Sequence, residues 1–190
     1  MAVITISRQM GSMGEEVALA LQKKLNYQIV NREIINQAAQ RARKPEIALA
    51  TIDDLGLFGF QPDVKDRLAY NQAVSEIMEE VARRGNTIII GRAGQIILKQ
   101  HAGVFHTMVI APTRIRAERI SKARGISING ALAQIQASDD SRRRYLKRNY
   151  DVDWDDPELY DLILNTGRIS PEQAAGLICQ ALERLEMIAS

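Results

Sequence analysis

A strand, a glycine-containing loop and a helix follow one another at the start of the chain, and this stretch constrains the fold most. Val3 to Ile6 is a β-branched run typical of a buried parallel strand. Two glycines follow within residues 7–14, and apolar residues then recur from Val17 to Leu25 at helical spacing. In this arrangement the loop amides and the helix N-terminus point at one spot, which predicts a phosphate cradle.

The loop departs from the complete phosphate-binding signature G-x-x-x-x-G-K-[ST]. In that signature the lysine reaches the β- and γ-phosphates and the hydroxyl binds Mg²⁺. Here Gly14 is followed by Glu15 and Glu16, so both the lysine and the hydroxyl residue are absent. Glu15 and Glu16 favour the helix dipole, but they would repel a bound triphosphate. An ordinary strand-to-helix turn of an α/β protein therefore stays open as the alternative.

Composition indicates one soluble domain. The chain has 190 residues, of which 46% are hydrophobic and 25% charged. The single cysteine, Cys179, excludes an intrachain disulfide and is expected to be a small core residue. The sequence shows neither a membrane-spanning apolar run nor a signal-peptide n-region, so we expect a cytoplasmic enzyme without a membrane partner.

The charges are balanced overall but not locally. Residues 114–148 contain 10 Lys or Arg against 3 Asp or Glu, whereas residues 149–190 contain 2 against 9. The two segments are either solvated faces that pair with each other or part of a phosphate-binding surface. The net charge of +2 argues against a nucleic-acid partner, and aromatic support in the basic segment is limited to Tyr145 and Tyr150.

Five short strands alternate with helices, which predicts a parallel sheet covered on both faces. We expect strands at 3–6, 27–30, 87–90, 106–111 and 160–165. The helices are expected at 15–25, 64–84, 113–125 and 130–149, and from 171 onward. Thr113 is expected to be the N-cap of the third of these helices, and Leu132 is expected to face inward from the fourth. The last helix is expected to bury Ala174, Leu177, Ile178, Ala181 and Leu185.

Three features should meet beyond the carboxyl ends of these strands, where open α/β sheets bind ligands. They are the glycine loop, Gly91-Arg92 after the third strand, and the arginine-rich helices. Phosphoryl transfer needs positioning and positive charge around two phosphates, and the guanidinium fork suits phosphate. Asp139 or Asp140 would orient the arginines or bind a base. The alternative is a solvated, ion-paired helix face.

At this point the chain resembles the bacterial cytidylate kinases, and more closely the divergent cytidylate kinase-like branch. The resemblance covers about residues 3 to 188 and rests on five motifs that occur in the family's order. The first two are Ser7-Arg8-Gln9-Met10-Gly11-Ser12-Met13-Gly14 and the Gly91-Arg92 turn. The others are Ala-Pro-Thr-Arg-Ile-Arg-Ala-Glu-Arg-Ile (111–120), Asp-Asp-Ser-Arg-Arg-Arg (139–144), and Tyr160 to Thr166 before a Ser-Pro-Glu helix start.

The resemblance implies a three-layer P-loop nucleoside monophosphate kinase fold in a single domain. It implies a core of 1–30, 86–121 and 149–190, an acceptor-binding helical insertion of about 31–85, and a lid of about 122–148. The implied reaction is transfer of the γ-phosphoryl group from Mg-ATP to CMP or dCMP. The implied partner is a nucleotide substrate. A homo-oligomer and the role of the apolar loop 53–62 are left open.

The resemblance also implies roles for particular residues. The donor phosphates would be held by Gly11, Ser12, Met13 and Gly14. The acceptor would be held by Asn31, Arg32, Arg92 and Asp140. Because the lysine is absent, the catalytic cations would be Arg8, Arg92, Arg143 and Arg144, with Glu16 as a ligand of Mg²⁺. The alternative is a nucleotide-binding or regulatory protein that kept the fold and lost catalysis.

Overall fold

Five parallel strands form the centre of the molecule in the computed structural model, which describes residues 2–31, 37, 40–41 and 64–188. The strands are β1 (Val3–Arg8), β2 (Gln28–Val30), β3 (Thr87–Ile90), β4 (Val104–Ile110) and β5 (Leu162–Asn165). Their order is β2-β3-β1-β4-β5. All neighbouring strands are parallel, so the predicted five-stranded parallel sheet is confirmed.

Helices cover both faces of this sheet within the described ranges. They are α1 (Gly14–Leu25), α2 (Val64–Arg84), α3 (Gly94–Ile97), α4 (Thr113–Arg124), α5 (Ile128–Tyr150) and α6 (Pro171–Ile188). Ile4 and Ile6 of β1 pack with α1 and α6. Val3 and Ile89 face the other way and pack with α2. Because side chains alternate along a strand, one sheet supports two cores, and the architecture has three layers.

Four of the five strands have boundaries that differ from the prediction. β2 begins at Gln28 rather than at 27, and β4 spans Val104–Ile110 rather than 106–111. β1 continues to Arg8 because Ser7 and Arg8 remain in register with Met108 and Val109 of β4. β5 begins at Leu162 rather than at 160, since a 3₁₀ turn at Pro157–Leu159 occupies the residues before it. Arg8 is therefore the last strand residue, and it lies at the carboxyl edge of the sheet.

Three helix starts also differ, and that of α1 lies at Gly14, one residue earlier than predicted. The N-cap position of α4 is occupied by Pro112, so Thr113 is the first helical residue and not the cap. Helix α5 begins two residues earlier than predicted because Ser127 caps it, its Oγ accepting a hydrogen bond of 3.1 Å from the Gly130 amide.

The buried side of α6 is rotated from the predicted one. Leu177 and Leu185 are 44% and 47% exposed, whereas the fully buried row consists of Ala174, Ala175, Ile178 and Leu182. Leu132 of α5, expected inward, is likewise 37% exposed. Cys179 is half-buried beside the α1–α6 core rather than within it.

Much of the predicted insertion lies outside the described residues, including Arg32 and the apolar loop 53–62. None of the helices in the described part of the chain is both long enough and apolar enough to cross a membrane.

Candidate functional site

The loop between β1 and α1 closes into a tight turn. Gly11 and Met13 have φ values of 79° and 63°, both in the left-handed region. Ser12 is fully buried, and both its amide and its Oγ donate to the Gln9 carbonyl, at 3.2 and 2.8 Å. Helix α1 then begins at Gly14. Because the amides of a first turn have no intrahelical acceptor, they present partial positive charge to the space inside the loop.

Three consecutive carbonyls of the loop are held from outside it. Arg116 Nη1 donates to the Met10 carbonyl at 3.3 Å, and Arg119 Nη1 donates to the Gly11 carbonyl at 3.3 Å. Thr166 Oγ1 donates to the Ser12 carbonyl at 2.7 Å. With these acceptors engaged on the outer side, and the Ser12 amide bonded to Gln9, the loop leaves its other amides for an anion, as in an anion-binding nest.

Arg116 and Arg119 hold these carbonyls because both point from α4 toward the loop. Arg116 is 4% exposed, and it also donates from Nε to the Ala111 carbonyl at 3.1 Å. Arg119 additionally donates from Nη2 to the Thr166 carbonyl at 2.7 Å. Sequence reasoning treated both only as members of a basic helix. The available signal was that Arg116 precedes the buried Ile120 by four residues and so shares its face.

Arg8 lies between the loop and the Gly91-Arg92 turn. A Cβ atom built on Gly14 would stand 2.5 Å from Arg8 Cβ, and one built on Gly91 would stand 2.8 Å from Arg8 Nη1. The guanidinium is also within 3.5 Å of Glu15 Oε1 in a loose, exposed ion pair. The glycine loop and the Gly91-Arg92 turn therefore meet at the strand ends, as predicted, and Arg8 lies between them. Arg92 follows directly, half-buried, with a φ of 59°.

The arginines of α5 differ in their surroundings. Arg143 donates from Nε to Asp155 at 2.7 Å and from Nη1 to Asp140 at 3.2 Å. The hydrogen bond that Arg143 donates to Asp155 is the main cause that raises the pKa of Arg143 above its ordinary value. Arg144 is exposed, and within the described residues it forms no ion pair.

Trp154 is a fixed platform for this helix. The ring is 2% exposed, and the Trp154 carbonyl accepts a 2.9 Å hydrogen bond from Tyr160 Oη. The Cζ atoms of Arg142 and Arg143 lie 5.9 and 5.8 Å from the ring centroid, within cation–π range. Burial raises the pKa of Tyr160 to about 12.

The remaining predicted residues are exposed. Glu16 lies in the first turn of α1 and Asn31 follows β2. The described part of the chain contains no group of three or more His, Cys, Asp or Glu side chains that could hold a metal ion. Mg²⁺ commonly binds through one or two carboxylates together with substrate phosphates and waters. A single carboxylate beside the loop therefore fits a metal that arrives with the nucleotide.

Comparison with known proteins shows the family to which this chain is similar. The profile of the cytidylate kinase-like family matches residues 3–168. A cytidylate kinase from Pyrococcus abyssi is 29% identical over 185 residues, covering 96% of this chain and 94% of the relative. A cytidylate kinase from Pyrococcus horikoshii is 36% identical over 111 residues, covering 57% of this chain and only 56% of that relative.

A solved structure shows the same fold at low sequence identity. The crystal structure of a gluconokinase from Sinorhizobium meliloti superimposes with a TM-score of 0.61 at 15% identity, covering 100% of this chain and 98% of that chain. This likeness concerns the fold alone, and it agrees with the predicted three-layer P-loop kinase architecture.

Proposed function

The chain belongs to the cytidylate kinase-like family, and from that premise we propose that it transfers the γ-phosphoryl group of Mg-ATP to CMP or dCMP. The observation that carries the proposal is the loop whose Met10, Gly11 and Ser12 carbonyls are all engaged from outside. Such a loop is organised for an anion before any ligand arrives, and preorganised donors are the main source of electrostatic stabilisation in phosphoryl transfer.

In this proposal the phosphate donor and the phosphate acceptor are bound by different residues. Gly11, Ser12, Met13 and Gly14 hold the donor phosphates. The donors are the loop amides other than that of Ser12, which is bonded to the Gln9 carbonyl. Arg8 takes the place of the missing lysine, which its position between Gly14 and Gly91 supports. Arg92 binds the acceptor phosphate, Asn31 and Arg32 contact the acceptor from the insertion, and Asp140, Arg143 and Arg144 act from the lid.

The chemistry requires little covalent participation by the protein. An oxygen of the acceptor monophosphate attacks the γ-phosphorus in line as the bond to the β-phosphate oxygen breaks, which releases ADP and forms the diphosphate. The acceptor oxygen is already anionic, so no general base is needed. Mg²⁺, held with Glu16, would neutralise charge on the donor phosphates. The arginines neutralise charge that shifts toward the β-phosphate.

The alternative function is nucleotide binding without catalysis. It is favoured by the ion pairs of two arginines: Arg143 is engaged by Asp155 and Asp140, and Arg8 is paired with Glu15. Carboxylates that occupy these guanidinium groups oppose phosphate binding. A protein of this kind would sense a monophosphate or ATP and would not turn it over.

Calorimetric titration with Mg-ATP and, separately, with CMP tests the two functions. Binding of both, followed by turnover with a panel of monophosphates, is the expected result. Arg8→Ala should then lower ATP affinity and turnover, whereas Arg114→Ala, at a 91% exposed side chain on α4, should change neither. Binding of both ligands without turnover would favour the alternative. Turnover that survives Arg8→Ala would remove Arg8 from the mechanism.

A further inference from the structure

The phosphate loop and helix α5 share one guanidinium group. Arg116 Nη1 lies 2.7 Å from Asp139 Oδ2 and 3.3 Å from the Met10 carbonyl. The two side chains are 5% and 6% exposed. Asp139 Oδ1 has no hydrogen bond within the described part of the chain, and Arg142 Nη1 is 3.9 Å from it. The Asp139 carboxylate thus accepts its hydrogen bond from Arg116, the arginine that also holds the loop.

Packing joins the same elements. The Met10 side chain packs against the cluster formed by Ala117 and Ile120 of α4 and Ala131 and Ile135 of α5. Gly11 touches α4 so closely that a Cβ atom there would lie 3.0 Å from both the Arg116 carbonyl and Ile120 Cδ1. The outer wall of the phosphate loop is therefore the α4–α5 pair, and α5 lies within the predicted lid.

We propose that Asp139 is a positioning residue, which through Arg116 makes the shape of the phosphate loop depend on the position of α5. The inference rests on the proposed function. The carboxylate fixes the guanidinium so that Nη1 faces Met10, and it does so only while α5 lies against α4. A lid helix that moves when nucleotide binds then changes the loop's affinity for the donor phosphates.

A buried ion pair is weak evidence of a stabilising role, because desolvation offsets the attraction between the charges. Replacing both partners with apolar residues of similar volume is often tolerated, whereas removing one partner leaves a buried charge. Replacing both partners therefore distinguishes a positioning role of Asp139 from a contribution to stability. An apolar pair keeps the packing between α4 and α5 but removes the hydrogen bond to Met10.

Two variants test the inference. Asp139→Asn keeps the shape but removes the charge, and the double variant Arg116→Met with Asp139→Leu removes the whole polar link. Glu118→Gln is the matched control, since Glu118 pairs with exposed Arg114 on the outside of α4. Hydrogen exchange of the amides of residues 9–14 and calorimetric affinities for Mg-ATP and CMP are measured on each.

We expect the amides of residues 9–14 to exchange faster in both variants than in the wild type, and those of β1 and of residues 15–25 to exchange no faster. The affinity for Mg-ATP should fall about tenfold, as for loss of one charge-assisted hydrogen bond, with CMP affinity unchanged. A folded double variant with wild-type loop exchange and ATP affinity would overturn the inference. If the wild type binds no nucleotide, the proposed function fails. Hydrogen exchange of residues 9–14 then still tests whether Asp139 couples α5 to the phosphate loop.

Discussion

Thr166 and Ser12 are 154 residues apart in the chain, yet the threonine Oγ1 donates a 2.7 Å hydrogen bond to the serine carbonyl. Thr166 is 2% exposed and follows β5 directly. Its carbonyl and its hydroxyl also accept from Arg119, which itself holds Gly11. The end of an edge strand therefore supports the phosphate loop.

Replacing Thr166 with valine should weaken nucleotide binding as well as stability. The variant keeps the shape and leaves the Ser12 carbonyl without this donor, so we expect a loss of about 1–2 kcal/mol in the free energy of unfolding. Mg-ATP affinity should fall several-fold. Thr107→Val is the control, because Thr107 is equally buried and donates to the Thr5 carbonyl at 2.9 Å, away from the loop. Equal ATP affinities in the two variants would contradict the role of Thr166.

Adding a methyl group at Gly14 should displace Arg8. The new Cβ would stand 2.5 Å from Arg8 Cβ and 2.9 Å from its Cγ, so either the side chain or the loop must shift. We expect Gly14→Ala to lower ATP affinity and turnover at least as much as Arg8→Ala. Gly176→Ala is the control, since a Cβ there meets nothing within 4 Å and alanine in a helix should stabilise the fold by roughly 0.5–1 kcal/mol. A Gly14→Ala protein with wild-type turnover would show that Arg8 is dispensable.

The fold was predictable where a local pattern determined the element. The bounds of α2 and β3 agree with the prediction to the residue. Gly85 and Asn86 separate them, and a fully β-branched run makes a buried strand the favoured choice. The family also followed from the order of the motifs. The rotated face of α6 did not follow, because neighbouring leucines and alanines permit more than one apolar stripe, and packing against α1 selects among them.

The candidate site was predictable in its position but not in its support. The partners of the loop carbonyls lie 106, 108 and 154 residues further along the chain, and no local pattern reports such pairings. Asp139 is different. Its spacing from Ile135 and Leu146, both buried, places it on the inner face of α5, so helical periodicity distinguishes it from the more exposed Asp140.

Removing the carboxylate that engages Arg143 should strengthen nucleotide binding. Asp155 accepts from Arg143 Nε at 2.7 Å, and a phosphate must compete with it. We expect Asp155→Asn to raise affinity for Mg-ATP or CMP about two- to fivefold at low salt, an advantage that fades as salt screens the charges. Trp154, the only tryptophan, lies beside Arg143 and reports binding by fluorescence. Asp151→Asn, which removes the partner of Lys147, serves as the control. Weaker binding by Asp155→Asn would show that Asp155 helps to position Arg143.

Stability should fall at alkaline pH because Tyr160 is held neutral. Burial raises its pKa to about 12, against about 10 in the unfolded chain. Since the pKa of Tyr160 is higher in the folded state, its contribution to the free energy of unfolding is fully present below about pH 10. That contribution is lost as the pH rises toward 12. The loss attributable to Tyr160 is at most roughly 2–3 kcal/mol. Urea unfolding followed by Trp154 fluorescence at pH 9 and pH 11 measures it.

Tyr160→Phe should show a smaller fall in stability between these two pH values than the wild type. Its stability at pH 9 should also be lower, because the hydrogen bond to the Trp154 carbonyl is lost. Tyr27→Phe, at the half-buried tyrosine before β2, is the control and should keep the wild-type fall. Tyr150, whose pKa is also raised by burial, supplies a background common to all three proteins. The same fall in all three would assign the alkaline sensitivity to Tyr150 or to other groups and not to Tyr160.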